Sequence, residues 1–236
     1  MSQIKKIVWL LEHEPVELFL RTARAFDKEI RALTNNTVQI EIYTKEEYTA
    51  KFAKSKITSD PLLLLSTNEI QMTQVQICNI GQWACPDFFA LEMPFLFRDH
   101  DHATRVLDGA IGKQLLDEVE ENSAGKGLAF TYSGGYRVFA SDTPIQTAED
   151  LKNLSCLTEI NPVRIDTAKA FGFDVVLFKN PFHENFADVT SERKAKAYGS
   201  SNIRETTLPR YEAEAYGHGH YHIGVTDHSM FLTTIL

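Results

Sequence analysis

The sequence predicts an α/β protein, and three observations carry that prediction. Residues 4–43 run as strand, helix, strand. Residues 132–172 run as strand, short helix, strand and helix. With 236 residues, 43% of them hydrophobic, the chain can bury one large core or two smaller ones.

Residues 4–11 (I-K-K-I-V-W-L-L) are β-branched and apolar, as in a strand buried on both faces of a parallel sheet. Glu12-His13-Glu14-Pro15 stands at its carboxyl end. A helix follows over Val16–Leu33, with Leu18, Ala25, Ile30 and Leu33 near helical spacing and Arg21, Arg24, Lys28 and Arg31 outside. Asn35-Asn36 ends it, and residues 38–43 (V-Q-I-E-I-Y) alternate as a second strand. Such a unit implies a right-handed crossover. Ligands of open α/β sheets sit beyond the strands' carboxyl ends, which makes Glu12 and His13 candidate contacts.

Residues 45–56 and 61–72 read as helices, the second leading into a strand over 74–80. In that strand Gln74 and Gln76 alternate with apolar residues, so one face is polar. Trp83, Phe88 and Phe89 suit a core, and residues 93–97 are expected to anchor in it. Helices are expected over 99–107, with Asp99 as N-cap, and over 111–121. His100 and His102, two apart on a helix, cannot share a face and make poor metal ligands.

Gly134-Gly135 is expected to break the run after residues 127–130, and 136–140 resumes it with β-type residues. Thr147 with Asp150 resembles a capping box over one helical turn. Asn161-Pro162 starts a helix over 163–171, since proline suits a first helical position. A strand follows over 174–178. Two lobes are expected: residues 1–130 with a returning strand over 225–236, and residues 131–224.

A net charge of -8 argues against a nucleic-acid partner, because nothing would neutralise phosphates. Three cysteines form no C-x-x-C pair; Cys78 and Cys85 could bridge, or all three, with Cys156, could be small buried apolar groups. No stretch approaches the ~20 apolar residues of a membrane span. No Walker loop, nucleophile elbow or H-E-x-x-H occurs, so neither an enzyme nor a cofactor is expected. His218, His220 and His222 alternate and would share one face of a strand, a geometry able to hold a metal, although the neighbouring glycines suit a surface turn.

Residues 93–113 (M-P-F-L-F-R-D-H-D-H-A-T-R-V-L-D-G-A-I-G-K), then G-Y-R at 135–137, then P-I-Q-T-A-E-D-L-K-N-L at 144–154 come in a telling order. They resemble the solute-binding proteins of tripartite ATP-independent periplasmic (TRAP) transporters. That resemblance implies a two-lobed fold like that of periplasmic binding proteins, type II-like, with mixed sheets and flanking helices. It further implies a monomer that closes over a small organic solute and docks on membrane permease subunits, without catalysis. A sensor module and a degenerate copy that binds nothing are the alternatives on the same fold.

The resemblance also nominates site residues. Glu12 lies near a ligand-contacting position, Gln76 ends a strand that faces the cleft, and Arg137 matches the G-x-R arginine. Counting from the L-K-N-L segment, Leu157 stands where the family carries an arginine that clamps a carboxylate. Arginine offers two parallel charge-assisted bonds there, and leucine none. With Glu12 facing the cleft, a neutral or zwitterionic solute is expected over a dicarboxylate. Only Gly199 and Asn202 of residues 194–204 match the family's V-D-G-Q-E-N-P turn, which nominates Asn202. The resemblance implies a leader before, and further chain after, the positions matching Met1 and Leu236, so a periplasmic location with the leader missing, or a copy that works inside the cell, and a shortened C-terminus are expected.

Overall fold

The fold is that of a computed structural model, which describes residues 4–11, 16–52, 60–141, 145–152, 154–159, 161–178, 203–207, 222–225 and 230–236. Strand β1 (Lys5–Leu11) pairs in parallel with β2 (Val38–Thr44), and helix α1 (Val16–Leu33) crosses between them. On one face of β1, Trp9 and Leu11 pack with Phe19 and Ala23 of α1. On the other, Leu10 packs with Tyr48, Leu64 and Ile70. The double-faced burial explains why β1 is apolar from Ile7 to Leu11, while Lys5 and Lys6 at its exposed start are charged. Helix α1 ends as expected, with Asn35 and Asn36 at φ 49° and 60°, a conformation asparagine tolerates better than most residues.

Asp27 ties α1 to the sheet. Its carboxylate accepts the Arg31 Nε at 2.7 Å and the Ile40 amide of β2 at 2.7 Å. Burial works against its ionisation, but the Arg31 hydrogen bond, the Ile40 amide and the Arg31 charge outweigh it and hold the carboxyl below its ordinary value.

Helix α2 (Lys45–Phe52) and helix α3 (Pro61–Ser66) follow. Two boundaries differ from the sequence expectation. Helix α3 stops at Ser66 and does not run to residue 72: Thr67 caps it and Asn68 turns at φ 59°. Strand β3 (Met72–Gln76) then stops at Gln76, and Ile77–Trp83 forms helix α4 in place of more strand. Ile77, Cys78, Asn79, Ile80 and Gly81 are all buried. An element covered all round shows no period that separates helix from strand.

A 3₁₀ turn, Pro86–Glu92, puts Phe88 and Leu91 into the largest apolar cluster, with Val75, Ile77, Ile80, Val119 and Leu232. The expected anchor over 93–97 is mostly outside that core: Phe97 is buried, whereas Met93, Phe95 and Leu96 are exposed. Asp99 caps α5 (His100–Leu107) through the His102 amide at 2.6 Å. Helix α6 (Ala110–Asn122) completes that layer.

Strand β4 (Ala129–Ser141) runs on through Gly134-Gly135, where a break was expected. The glycines mark a register shift between Tyr132 and Tyr136, an irregularity rather than an end. The capping box at Thr147 and Asp150 forms over a 3₁₀ turn (Ala148–Leu151). Strands β5 (Ser155–Glu159) and β6 (Asp174–Phe178) pair in parallel around α7 (Pro162–Ala170). Strands β7 (Ile203–Thr207), β8 (His222–Val225) and β9 (Met230–Ile235) complete the described strands.

These strands form one sheet in the order β2-β1-β3-β9-β4-β7-β5-β6, with β8 also on β4. Strand β9 returns antiparallel between β3 and β4. Strand β4 belongs to both sides: residues 129–136 face β9, and residues 137–141 face β7 and β8. All three cysteines are buried and none is in a disulfide.

Candidate functional site

Parallel strands β1 and β3 point their carboxyl ends the same way, at Leu11 and Gln76. Gln76 is 6% exposed and stands where α4 begins, with its Oε1 3.5 Å from the Cys78 thiol. Two residues earlier on the same face of β3 lies Gln74, 2% exposed. Its Nε2 donates to Thr131 Oγ1 at 2.5 Å and to Thr233 Oγ1 at 3.0 Å, and the two hydroxyls are 2.6 Å apart. Register explains the meeting: Gln76 lies opposite Thr233, which lies opposite Thr131 on β4.

The result is a largely buried polar stripe across three strands, in which Gln74, in the row of Leu11 and Ile235, reaches the neighbouring row of Gln76, Thr233 and Thr131. The Oε1 of Gln74 is buried without a hydrogen-bond partner among the described residues. Amide and hydroxyl groups both donate and accept, so the stripe can bond a hydroxyl or a carboxylate oxygen. It contains no nucleophile paired with a base. Among the described residues no group of three His, Cys, Asp or Glu could hold a metal.

The other nominated residues are placed by backbone register. Arg137 lies on β4 opposite Thr207. Leu157 lies on β5 between Val176 of β6 and Arg204 of β7. Arg204 lies in turn opposite Ala140, so Ala140, Arg204 and Leu157 form one cross-strand row, three positions from that of Arg137. His222 lies opposite Ser141. Glu12, His13, Asn202, His218 and His220 fall outside the described residues.

Sequence reasoning missed Thr131 and Thr233, and passed over Gln74 in favour of Gln76. The visible signal was threonine inside otherwise apolar strands (A-F-T-Y and F-L-T-T-I-L). The partners are 102 residues apart, and only the sheet brings them together.

Residues 15–184 match the family model DctP, described as bacterial extracellular solute-binding protein, family 7. The chain is similar to the 2,3-diketo-L-gulonate-binding periplasmic protein YiaO of Escherichia coli, 39% identical over 102 residues, 42% of this chain and 28% of that one. It is similar too to the C4-dicarboxylate-binding periplasmic protein DctP of Rhodobacter capsulatus, 25% identical over 150 residues, 64% of this chain and 42% of that one. The matched stretches thus span less than half the length of these relatives. Two solved TRAP periplasmic solute-binding proteins share the fold. One, from Pseudomonas putida F1 with bound D-glucuronate, has a TM-score of 0.75 at 21% identity, covering 98% of this chain and 70% of that one. The other, from Desulfovibrio desulfuricans with bound sn-glycerol-3-phosphate, has a TM-score of 0.76 at 19% identity, covering 98% and 68%.

Proposed function

Because the chain belongs to family 7 of the bacterial extracellular solute-binding proteins, we propose that it captures a small organic solute for a TRAP-type transporter in the periplasm. Capture works by closure of two lobes, residues 1–130 with 225–236 and residues 131–224, about strands that include β4. No bond is made or broken. The closed, solute-bound monomer is the form that membrane permease subunits recognise.

The observation that carries this reading is the polar stripe at the carboxyl end of β3, where Gln74 keeps a buried acceptor. Gln76 reads the solute from the first lobe, and Arg137 and Leu157 border it from the second. Glu12, His13 and Asn202 are further contacts of the same cleft. With leucine at 157 one bidentate bond to an acid is lost, so neutral hydrogen bonds to hydroxyls weigh more in the choice of solute. The two solved neighbours hold hydroxyl-bearing anions. A small, hydroxyl-rich solute therefore suits this chain better than a bare dicarboxylate.

A melting-temperature panel tests this. D-glucuronate, sn-glycerol-3-phosphate, a neutral polyol, an amino acid and succinate are each added to the full chain. A hydroxylated solute at a hundredfold excess over its dissociation constant is expected to raise the melting temperature by about 5–10 °C. A panel in which succinate alone gives the rise, or in which nothing does, overturns the proposal.

A further inference from the structure

Glu92 is an acid in an unusual place. It ends the 3₁₀ turn Pro86–Glu92, whose Phe88 and Leu91 sit in the core of the β3-β9-β4 side, and its own side chain is wholly buried. Among the described residues, both of its oxygens accept from the start of α7. Oε1 accepts Arg164 Nη2 at 3.2 Å, and Oε2 accepts Asn161 Nδ2. Arg164 has 9% of its side chain exposed, and Asn161 is 0% exposed.

Asn161 is held from both ends. Its Oδ1 caps α7 by accepting the Val163 amide at 3.0 Å and the Arg164 amide at 3.3 Å, while its Nδ2 serves Glu92. One carboxylate, 69 and 72 residues away in sequence, thereby holds the first turn of α7 and the corner into which β5 runs. An apolar contact would leave the corner free to slide. Two directional bonds to a carboxylate admit one arrangement, and a buried charge cannot be left without them.

We propose that Glu92 is a positioning residue for solute binding. It fixes the β5–α7 corner, and with it the end of the strand carrying Leu157, against the first lobe. The carboxylate is enclosed by its partners and does not touch the solute. This inference rests on the solute-binding reading above, and its test separates the two.

The first measurement needs no solute. Native-state hydrogen exchange of the full chain is read at the Val163 and Arg164 amides, in wild type and in Glu92→Gln. The substitution keeps shape and one neutral hydrogen bond but removes the charge that Arg164 meets. Exchange at those two amides is expected to quicken about tenfold to a hundredfold, with Trp9 and Leu10 of β1 unchanged. No change at Val163 and Arg164, or an equal rise at Trp9 and Leu10, overturns the positioning role. Should Glu92→Gln fold poorly, Arg164→Lys keeps the charge without the fork and is expected to loosen the same two amides to a smaller degree.

The second measurement uses D-glucuronate and sn-glycerol-3-phosphate as probes. Glu92→Gln is expected to weaken whichever the wild type binds by about tenfold, through faster release, and wild-type affinity in the variant overturns the inference. A wild type that binds neither these nor any other solute of the panel overturns the solute-binding reading. The corner itself then stands or falls on the exchange result.

Discussion

Two buried polar clusters, both spanning distant parts of the chain, are built on opposite principles. The stripe of Gln74, Thr131 and Thr233 is neutral and lies within one sheet face. The cluster of Glu92, Asn161 and Arg164 is charged and joins a turn to a helix. A neutral amide or hydroxyl can lose one bond at modest cost, so it can face a partner that comes and goes. A buried charge cannot, because taking it from water is offset only while its partners stay in place. On the proposed function, the difference suits the neutral stripe to an exchangeable solute and the charged cluster to permanent architecture.

The sharpest way to break that contrast is Glu92→Ala. Removing one member of a buried ion pair takes a charge-assisted partner from the other, so a loss of about 3–5 kcal/mol in chemical unfolding is expected. Joining it to Arg164→Met should recover part of the loss, since the buried guanidinium is then gone. A loss below about 1 kcal/mol would make the cluster no different from a surface pair.

Asp27 gives an intermediate case, a carboxylate that is 19% exposed and linked to both Arg31 and Ile40. Asp27→Asn is expected to cost about 1–2 kcal/mol near neutral pH. Its folded value lies below the ordinary 3.8, so the carboxylate's contribution is present above about pH 4 and is lost as pH falls through the lowered value. The gap between wild type and variant should therefore close under acid, as read by urea titrations at stepped pH. A gap that widens instead would reverse the assignment.

Gln74→Leu should have the smallest effect on stability, within about 1 kcal/mol. Thr131 and Thr233 still bond each other, and the unmatched Gln74 acceptor disappears. Its effect belongs in solute affinity. A variant that unfolds readily while binding as before would exchange the roles of the two clusters.

A different pair of residues shows how much was legible beforehand. Asp99 and Asn161 were both readable as helix starts; Asp99 caps as expected, and Asn161, expected on the strength of Pro162, also caps with its side chain. Capping is local: the side chain meets amides two or three residues on. Gln76 and Gln74 were readable as one polar face of a strand, but not where that strand stops, because the turn into α4 is buried all round. The core role expected of residues 93–97 failed for a related reason, since hydrophobicity does not say which neighbours exist to cover it.

Local residue patterns sufficed for the elements whose signals are short-ranged: the β1–α1–β2 unit, the capping residues, the 174–178 strand and the motifs shared with the family. Tertiary structure alone decided that Thr131 meets Thr233, that Glu92 meets Asn161 and Arg164, and that Leu157 shares a row with Arg204. The physical reason is reach. Backbone geometry and capping act over a few residues, whereas a buried polar group is satisfied by whatever the sheet's order and register bring beside it.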